Sequence, residues 1–310
     1  MEMGAIAVTS FGPPVAPLTR KHLSPSRSLL NKPRPLSLPS AWRRVWFAGG
    51  DIGAPRATYR FRSGSVALVG GEFVRDAGAT AVVMAGAYTL VSAFESLTRR
   101  NFIEQSLSRK LVHILSGLLF MVCWPIFSTS PEARYFASVV PLANCLRLLI
   151  YGLSLATSEG LIISVTREGK PEELLRGPLY YVLILILCVL VFWRESPIGV
   201  ISLAMMCGGD GIADIIGRRF GSEKLPYNKN KSWAGSISMF IFGFLISLGM
   251  LYYFSLLGFF QLDWAWTVER VALVSFVATV VESLPTAGLV DDNISVPLAS
   301  MVAAYLCFPI

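Results

Sequence analysis

The sequence predicts an all-α fold, a polytopic bundle of seven or eight transmembrane helices. Hydrophobic residues make up 54% of the 310-residue chain and charged residues only 15%, against about 25% charged in ordinary soluble domains. Beyond residue 70, long apolar runs alternate with short polar stretches. Their loop charge falls on alternate connections, as the positive-inside rule requires.

The first 62 residues form a separate region. They hold ten Lys or Arg and two acids, Glu2 and Asp51, a net of +8, whereas the remaining 17 basic and 18 acidic residues net −1. Five serines between Ser24 and Ser40 and seven prolines between Pro13 and Pro39 complete the pattern. A basic, Ser-rich, acid-poor N-terminus is the composition of an organelle transit peptide. The prolines break any continuous amphipathic helix, which favours plastid over mitochondrial import. Residues 1–62 are therefore expected to be a disordered plastid transit peptide, cleaved near residues 45–65, and residues 70–310 the membrane domain. Because the excess positive charge belongs to this segment, the high pI does not indicate nucleic-acid binding, which needs a basic face on the folded domain.

The apolar runs cover about 77–98, 111–128, 135–157, 178–193, 197–208, 233–261, 268–290 and 293–310. Crossing the hydrocarbon core takes about 20 apolar residues, and most runs approach that length. The short run 197–208 is expected to be a half-span that breaks at Gly208-Gly209. Trp124, Trp193, Trp233, Tyr180 and Tyr181 lie near run ends, where interfacial anchors belong. Cys123, Cys145, Cys188, Cys207 and Cys307 lie in apolar stretches without C-x-x-C spacing, so neither a zinc site nor a disulfide framework is indicated.

If every run crosses, segments 99–110, 158–177, 209–232 and 291–292 emerge on one face. That face collects most of the loop charge of either sign; the other has little beyond Arg134 and Arg194. A purely structural bundle has no need of such a one-sided polar layer, but an enzyme using a water-soluble nucleotide does.

The stretch richest in chemistry is 208–236, GGDGIADIIGRRFGSEKLPYNKNKSWAGS. Asp210 and Asp214, at i and i+4, share a helical face. Such a pair can hold Mg²⁺, which favours one or two carboxylates completed by phosphate oxygens. Gly208, Gly209 and Gly211 can loosen the entry turn and offer N–H groups to an anion. Ala213 and Gly217 permit close approach of a second backbone. Arg218, Arg219, Lys224, Lys229 and Lys231 follow, and an acid pair with a basic cluster suits a metal–triphosphate complex. A positive-inside loop whose arginines neutralise the aspartates explains the same basic residues in structural terms. Neither a P-loop nor a protein-kinase motif set is present.

Arg109, Lys110 and His113 open another helix. Arg109 and His113 share a face and can hold a phosphate or receive the acceptor's proton, although a lone His in an apolar run is more often a hydrogen-bonded core residue. Arg147, costly inside a membrane helix, is expected to face the bundle interior and pair with an acid, Glu282 being the candidate. Glu172 and Arg176 have the i, i+4 spacing of a solvated amphipathic helix, and Gly177-Pro178 should begin the next helix. Asp291, Asp292 and Asn293 can supply a further metal ligand or cap the last helix.

The spacing Asp210-x-x-Ala213-x-x-x-Gly217-x-x-x-Gly221-x-x-Lys224 resembles the nucleotide-binding signature of the polyprenol kinase family, and Lys231–Ser236 resembles its second block. That family includes phytol and farnesol kinases and is related to dolichol kinase and CDP-diacylglycerol synthase. The similarity extends over Arg109–His113, 164–181, 192–199, 277–285 and 291–298, spanning about 105–310, with a shifted stretch at 286–290. It implies a chloroplast membrane kinase that transfers the γ-phosphate of CTP, with Mg²⁺, to a long-chain isoprenoid alcohol, phytol in the first instance. Farnesol and geranylgeraniol are alternative acceptors. The resemblance also raises Arg167, Glu168 and Arg176 as site-lining residues, with Gly208, Gly209, Gly217, Arg218, Lys224, Lys229, Lys231, Arg109 and Lys110 around the nucleotide. Asp210, Asp214 and His113 are the catalytic candidates, and any of them can be the base. A CDP-lipid-forming cytidylyltransferase and a transporter are the rival readings; a transporter often has two related halves, and none is visible here.

Overall fold

The computed structural model describes residues 64–156, 160, 162, 165–166, 169–285 and 290–308, with side chains from residue 70. The expected transit segment, 1–62, lies outside the described residues, as do Arg167, Glu168 and residues 286–289.

Nine α-helices make up the bundle among the described elements: α1 (Gly64–Arg99), α2 (Gln105–Val122), α3 (Ala133–Gly152), α4 (Gly177–Val191), α5 (Pro197–Ala204), α6 (Gly211–Phe220), α7 (Trp233–Leu256), α8 (Trp264–Ser283) and α9 (Asp292–Cys307). Among the described residues, seven helical segments are long and apolar enough to cross a membrane. With 16 residues, α9 is shorter.

The expected break at Gly208-Gly209 does not occur. A π-helical turn, Met205–Asp210, joins α5 to α6, so Pro197–Phe220 is one continuous helix of 24 residues. This helix is 83% buried over its most apolar window, against at most 44% for any other span. It is the bundle's central rod, packed against α2, α7 and α9. The glycines serve that packing rather than an open turn. A Cβ on Gly208 would meet Ile246 of α7, and one on Gly211 would overlap Ile114 of α2. Gly209 lies against the backbone of α7 at Gly243. Helices approach this closely only where side chains are minimal.

The two ends of the bundle differ in chemistry. At one end Arg194, which the sequence suggests is a loop charge, is only 1% exposed. It donates to the carbonyls of Trp124 (3.0 Å), Phe127 (3.1 Å) and Ser128. Asp76 of α1 accepts from the Ser128 amide (2.6 Å) and hydroxyl (2.7 Å). A buried charge needs hydrogen-bond partners, and here they tie the α2–α3 and α4–α5 connections to each other and to α1. Trp124 and Trp193, expected as interfacial anchors, instead stack in this core with ring centroids 5.2 Å apart. Trp233, at the start of α7, is exposed. All five cysteines are free thiols.

At the other end the connections between α6 and α7 form a short antiparallel hairpin, β1 (Lys224–Leu225) and β2 (Asn228–Ser232). The segment before α4 is a 3₁₀ turn, Pro171–Leu175, rather than the amphipathic α-helix expected from Glu172 and Arg176. Helix α4 does start at Gly177-Pro178 as predicted.

Candidate active site

The polar end of the central helix holds the predicted acids. Asp210 closes the π turn and is buried; Asp214 lies one turn further on and is partly buried. Lys110 reaches across from α2, its Nζ 3.0 Å from Asp210 Oδ2 and 4.0 Å from Asp214 Oδ2. The i, i+4 pair therefore does share a face. Arg109 Nη2 stands 3.6 Å from Asp214 Oδ2, and Arg218 places both Nε and Nη2 3.1 Å from Asp214 Oδ1. Asp214 Oδ2 is buried and, beside the Lys110 and Arg109 cations, accepts no hydrogen bond.

His113, one turn along α2 from Lys110, has Nε2 3.9 Å from Asp210 Oδ2 and 3.1 Å from the Met206 carbonyl. A carbonyl only accepts, so Nε2–H donates and the lone pair of the neutral ring is on Nδ1. Tyr181 of α4 donates to the His113 carbonyl (2.9 Å) and stacks at a tilt on the ring, with centroids 4.3 Å apart.

A second ionic cluster faces the first. Lys231, at the end of β2, binds Glu282 of α8 and lies 2.8 Å from Asp292 Oδ2 of α9. Burial works against its charge, but Glu282, Asp292 and Asp210 outweigh that effect and hold the ammonium above its ordinary range. This arrangement corrects the expected Arg147–Glu282 pair. Glu282 is satisfied by Lys231 and by Ser236 (3.5 Å), whereas the Arg147 guanidinium lies 5.9 Å and 6.0 Å from the ring centroids of Tyr88 and Tyr151. Aromatic faces can hold a guanidinium without an acid.

The hairpin carries the basic residues over the acids because it is anchored at both edges. Asn228 Nδ2 donates to the carbonyls of Ser283 (3.0 Å) and Leu284 (3.2 Å), and the Tyr227 hydroxyl to Ser283 Oγ (3.0 Å). Ser232 caps α7, accepting from the Gly235 amide (3.2 Å). Helices α6 and α7 then cross with almost no gap, since a Cβ on Gly217 would sit 3.4 Å from Gly235 Cα and one on Gly235 3.3 Å from the Ala213 carbonyl. Ala213 and Gly217 thus do what their size predicts. Asp291 caps α9, accepting from the Asn293 amide (2.9 Å), which leaves Asp292 for Lys231.

These groups surround one cavity of about 1290 Å³. Of the sequence-predicted residues, Arg109, Lys110, Arg176, Asp210, Asp214, Gly217, Arg218, Lys224 and Lys231 line it. Gly208 and Gly209 do not, being buried in the helix crossing, and Lys229 is exposed away from it. His113 lines an adjoining cavity of about 300 Å³. Arg167 and Glu168 fall outside the described residues. Ser236, the last residue of the second signature block, lines the large cavity as well; Asn228 and Asn230 also line it and escape sequence reasoning. Asn228 and Asn230 flank lysines at alternate positions, which is a two-residue strand period and the one signal that could have exposed the hairpin. Among the described residues no three His, Cys, Asp or Glu side chains converge to form a metal site by themselves.

Fold and site together define a polytopic membrane protein that brings a highly charged cavity and an apolar one together at Lys110. Among known proteins, the chain is 72% identical over 237 residues to "Probable phytol kinase 1, chloroplastic" of Glycine max, covering 76% of this chain and 78% of that one. It is 66% identical over 244 residues to "Phytol kinase 1, chloroplastic" of Arabidopsis thaliana, covering 79% and 80%. The protein of the same description as the soybean one from Oryza sativa subsp. japonica is 66% identical over 235 residues, covering 76% and 75%. No protein-family model and no solved structure matches the chain. The chain belongs to the phytol kinase family. It is a multi-pass chloroplast membrane protein.

Proposed function

We propose that this chain is a phytol kinase, transferring the γ-phosphate of CTP to phytol to give phytyl phosphate for tocopherol synthesis. Relatives at 72% and 66% identity are named phytol kinases, and CTP as donor follows from the resemblance of 208–236 to the polyprenol kinase nucleotide signature. The observation that carries the reading is the meeting of two unlike cavities at Lys110. A water-soluble triphosphate needs the charged one and a long-chain alcohol the apolar one. A targeting role for residues 1–62 completes the plastid reading.

The residues present fit Mg²⁺. Asp210 and Asp214 already share one cation, the Lys110 ammonium, and the buried Asp214 Oδ2 atom accepts no hydrogen bond. Two carboxylates leave most of the octahedral shell to phosphate and water, as Mg²⁺ prefers. Bound there, it would neutralise charge on the phosphate oxygens.

The chain's own groups would do the rest. Arg109, Arg176, Arg218 and Lys224 offer cationic contacts to the phosphates from the cavity wall. Lys231, held charged by its acidic neighbours, adds a further one. The alcohol oxygen forms a bond to the γ-phosphorus as the bond to the bridging oxygen of the leaving diphosphate breaks. The hydroxyl proton passes to a nearby base, for which Asp210, Asp214 and His113 are the candidates within reach.

The test supplies full-length protein in detergent, with Mg²⁺, phytol and each of γ-labelled CTP, ATP, GTP and UTP in turn. Label should enter the lipid phase from CTP foremost, and farnesol and geranylgeraniol should then rank the acceptors. Absence of label from every nucleotide would overturn the reading. Label entering from an α-labelled nucleotide with release of pyrophosphate would replace it with a cytidylyltransferase.

A further inference from the structure

The smaller cavity has a composition unlike the larger one. It lies among α1, α2, α3 and α4, and its walls include Val83, Met84, Leu119, Phe120, Leu148 and Leu185. It shares Arg109, Lys110, Val165, Gly177, Pro178 and Asn293 with the charged cavity. The shared residues form a seam between a charged chamber and an apolar one.

Polar groups are not spread evenly along this groove. His113 and Ser116, one and two turns along α2 from Lys110, lie beside the seam with Tyr181 of α4. Their hydrogen bonds connect them, with Ser116 Oγ 3.1 Å from the Tyr181 hydroxyl, which itself donates to the His113 carbonyl. Farther along α2 the lining turns to Leu119 and Phe120. A ligand matched to this pattern has one small polar end at the seam and an apolar chain beyond it.

The groove also has a side entrance. The exposed residues in its lining, Met84, Tyr88, Ala143 and Asn144, all belong to α1 and α3. Those helices are neighbours, and both are long and apolar enough to span a membrane. The gap between them therefore faces lipid. Arg147, beside that gap, is held by the rings of Tyr88 and Tyr151, so its charged head lies on the wall.

From these features we infer that the α1–α4 groove is the acceptor-chain site. The isoprenoid chain enters from the bilayer between α1 and α3 and lies along Leu119, Phe120 and Leu185. Its hydroxyl reaches the seam between His113 and Lys110, next to Asp210. The inference rests on the kinase reading for the identity of the ligand, but the position of the chain is testable separately.

The experiment has two arms on full-length protein. In the first, a phytol analogue bearing a photoreactive diazirine on its chain is crosslinked to wild type in nanodiscs, with excess phytol as competitor, and the adducts are mapped by mass spectrometry. Competed adducts are expected on the groove-facing residues of α1 to α4. In the second, Ala87→Phe and Ala143→Phe, both lining the groove, are assayed for phosphate transfer. Losing the contacts of a few methylenes should raise KM for phytol by about 10-fold or more, with KM for the nucleotide unchanged. Active wild type with competed adducts elsewhere, or with both variants keeping the wild-type KM for phytol, would overturn the groove assignment and leave the kinase reading standing. Competed adducts in the groove of a protein that transfers no phosphate would support the groove and overturn the kinase reading. Neither adducts nor transfer would overturn both.

Discussion

Lys110 Nζ lies 3.0 Å from Asp210 Oδ2, and both side chains are less than a tenth exposed. The pair joins α2 to the central helix at the seam between the two cavities. Buried ion pairs of this kind are strongly destabilising to break on one side only, by about 3–5 kcal/mol, because the remaining charge is left uncompensated.

Lys110→Met and Asp210→Asn should therefore each lower the unfolding temperature clearly in detergent. The double variant should recover a large part of the loss, since no lone charge remains. All three should be inactive. Thermal unfolding followed by circular dichroism checks the stability pattern, and simple additivity of the two single losses would show that the pair is not coupled.

Lys231 allows a pH prediction. Its folded-state pKa is raised above the unfolded value, which is about 10.4, because Glu282, Asp292 and Asp210 more than offset its burial. A Lys with a raised pKa stabilises fully below the unfolded value and loses that contribution as pH rises through the folded one. The stability gap between wild type and Lys231→Met should thus not shrink between about pH 7 and about pH 9, and should shrink only above about pH 10. A gap that narrows between pH 7 and pH 9 in denaturant titrations would show that Lys231 is not held charged.

Gly221 and Gly249 should respond oppositely to alanine. A Cβ on Gly221 would overlap the Gly217 carbonyl oxygen and Ser232 Oγ, whereas nothing lies within 4 Å of one on Gly249. Overpacking typically costs about 1–3 kcal/mol, and here it would also push the hairpin off the cavity. Gly221→Ala should lose stability and most activity. Gly249→Ala, in the exposed middle of α7, should be neutral or gain up to about 1 kcal/mol. Unfolding and transfer assays on both variants decide the point.

Much of the bundle is legible in hydropathy alone. Eight apolar runs correspond to the spans and to α9, and the loop charges predicted on one face do converge on one cavity, as Arg109, Arg218 and Lys231 show. Asp210 and Asp214 are legible because i, i+4 spacing survives the π turn. Gly208-Gly209 misleads because a glycine pair has the same appearance whether it frees a turn or admits a neighbouring helix, and only Ile246 and Gly243 of α7 distinguish the two. Arg194 and the two tryptophans mislead for a similar reason. Their positions at run ends suggest the interface, but the carbonyls that hold Arg194 and the ring contact between Trp124 and Trp193 are set by tertiary packing. Glu282 needs a cation, for which the sequence reading names Arg147 and the structure supplies Lys231. The choice between them follows from helix order around the central rod, which hydropathy does not encode.

The most direct measurement follows γ-phosphate transfer to phytol by wild type, Asp210→Asn and Asp214→Asn in parallel, at saturating Mg²⁺ and nucleotide, with folding of each protein checked. Removal of a group that holds the metal–phosphate complex should lower kcat by at least about 100-fold, the scale expected for lost electrostatic stabilisation of a transition state, in both variants. Folded variants that transfer phosphate at the wild-type rate would contradict placement of the active site at Asp210 and Asp214.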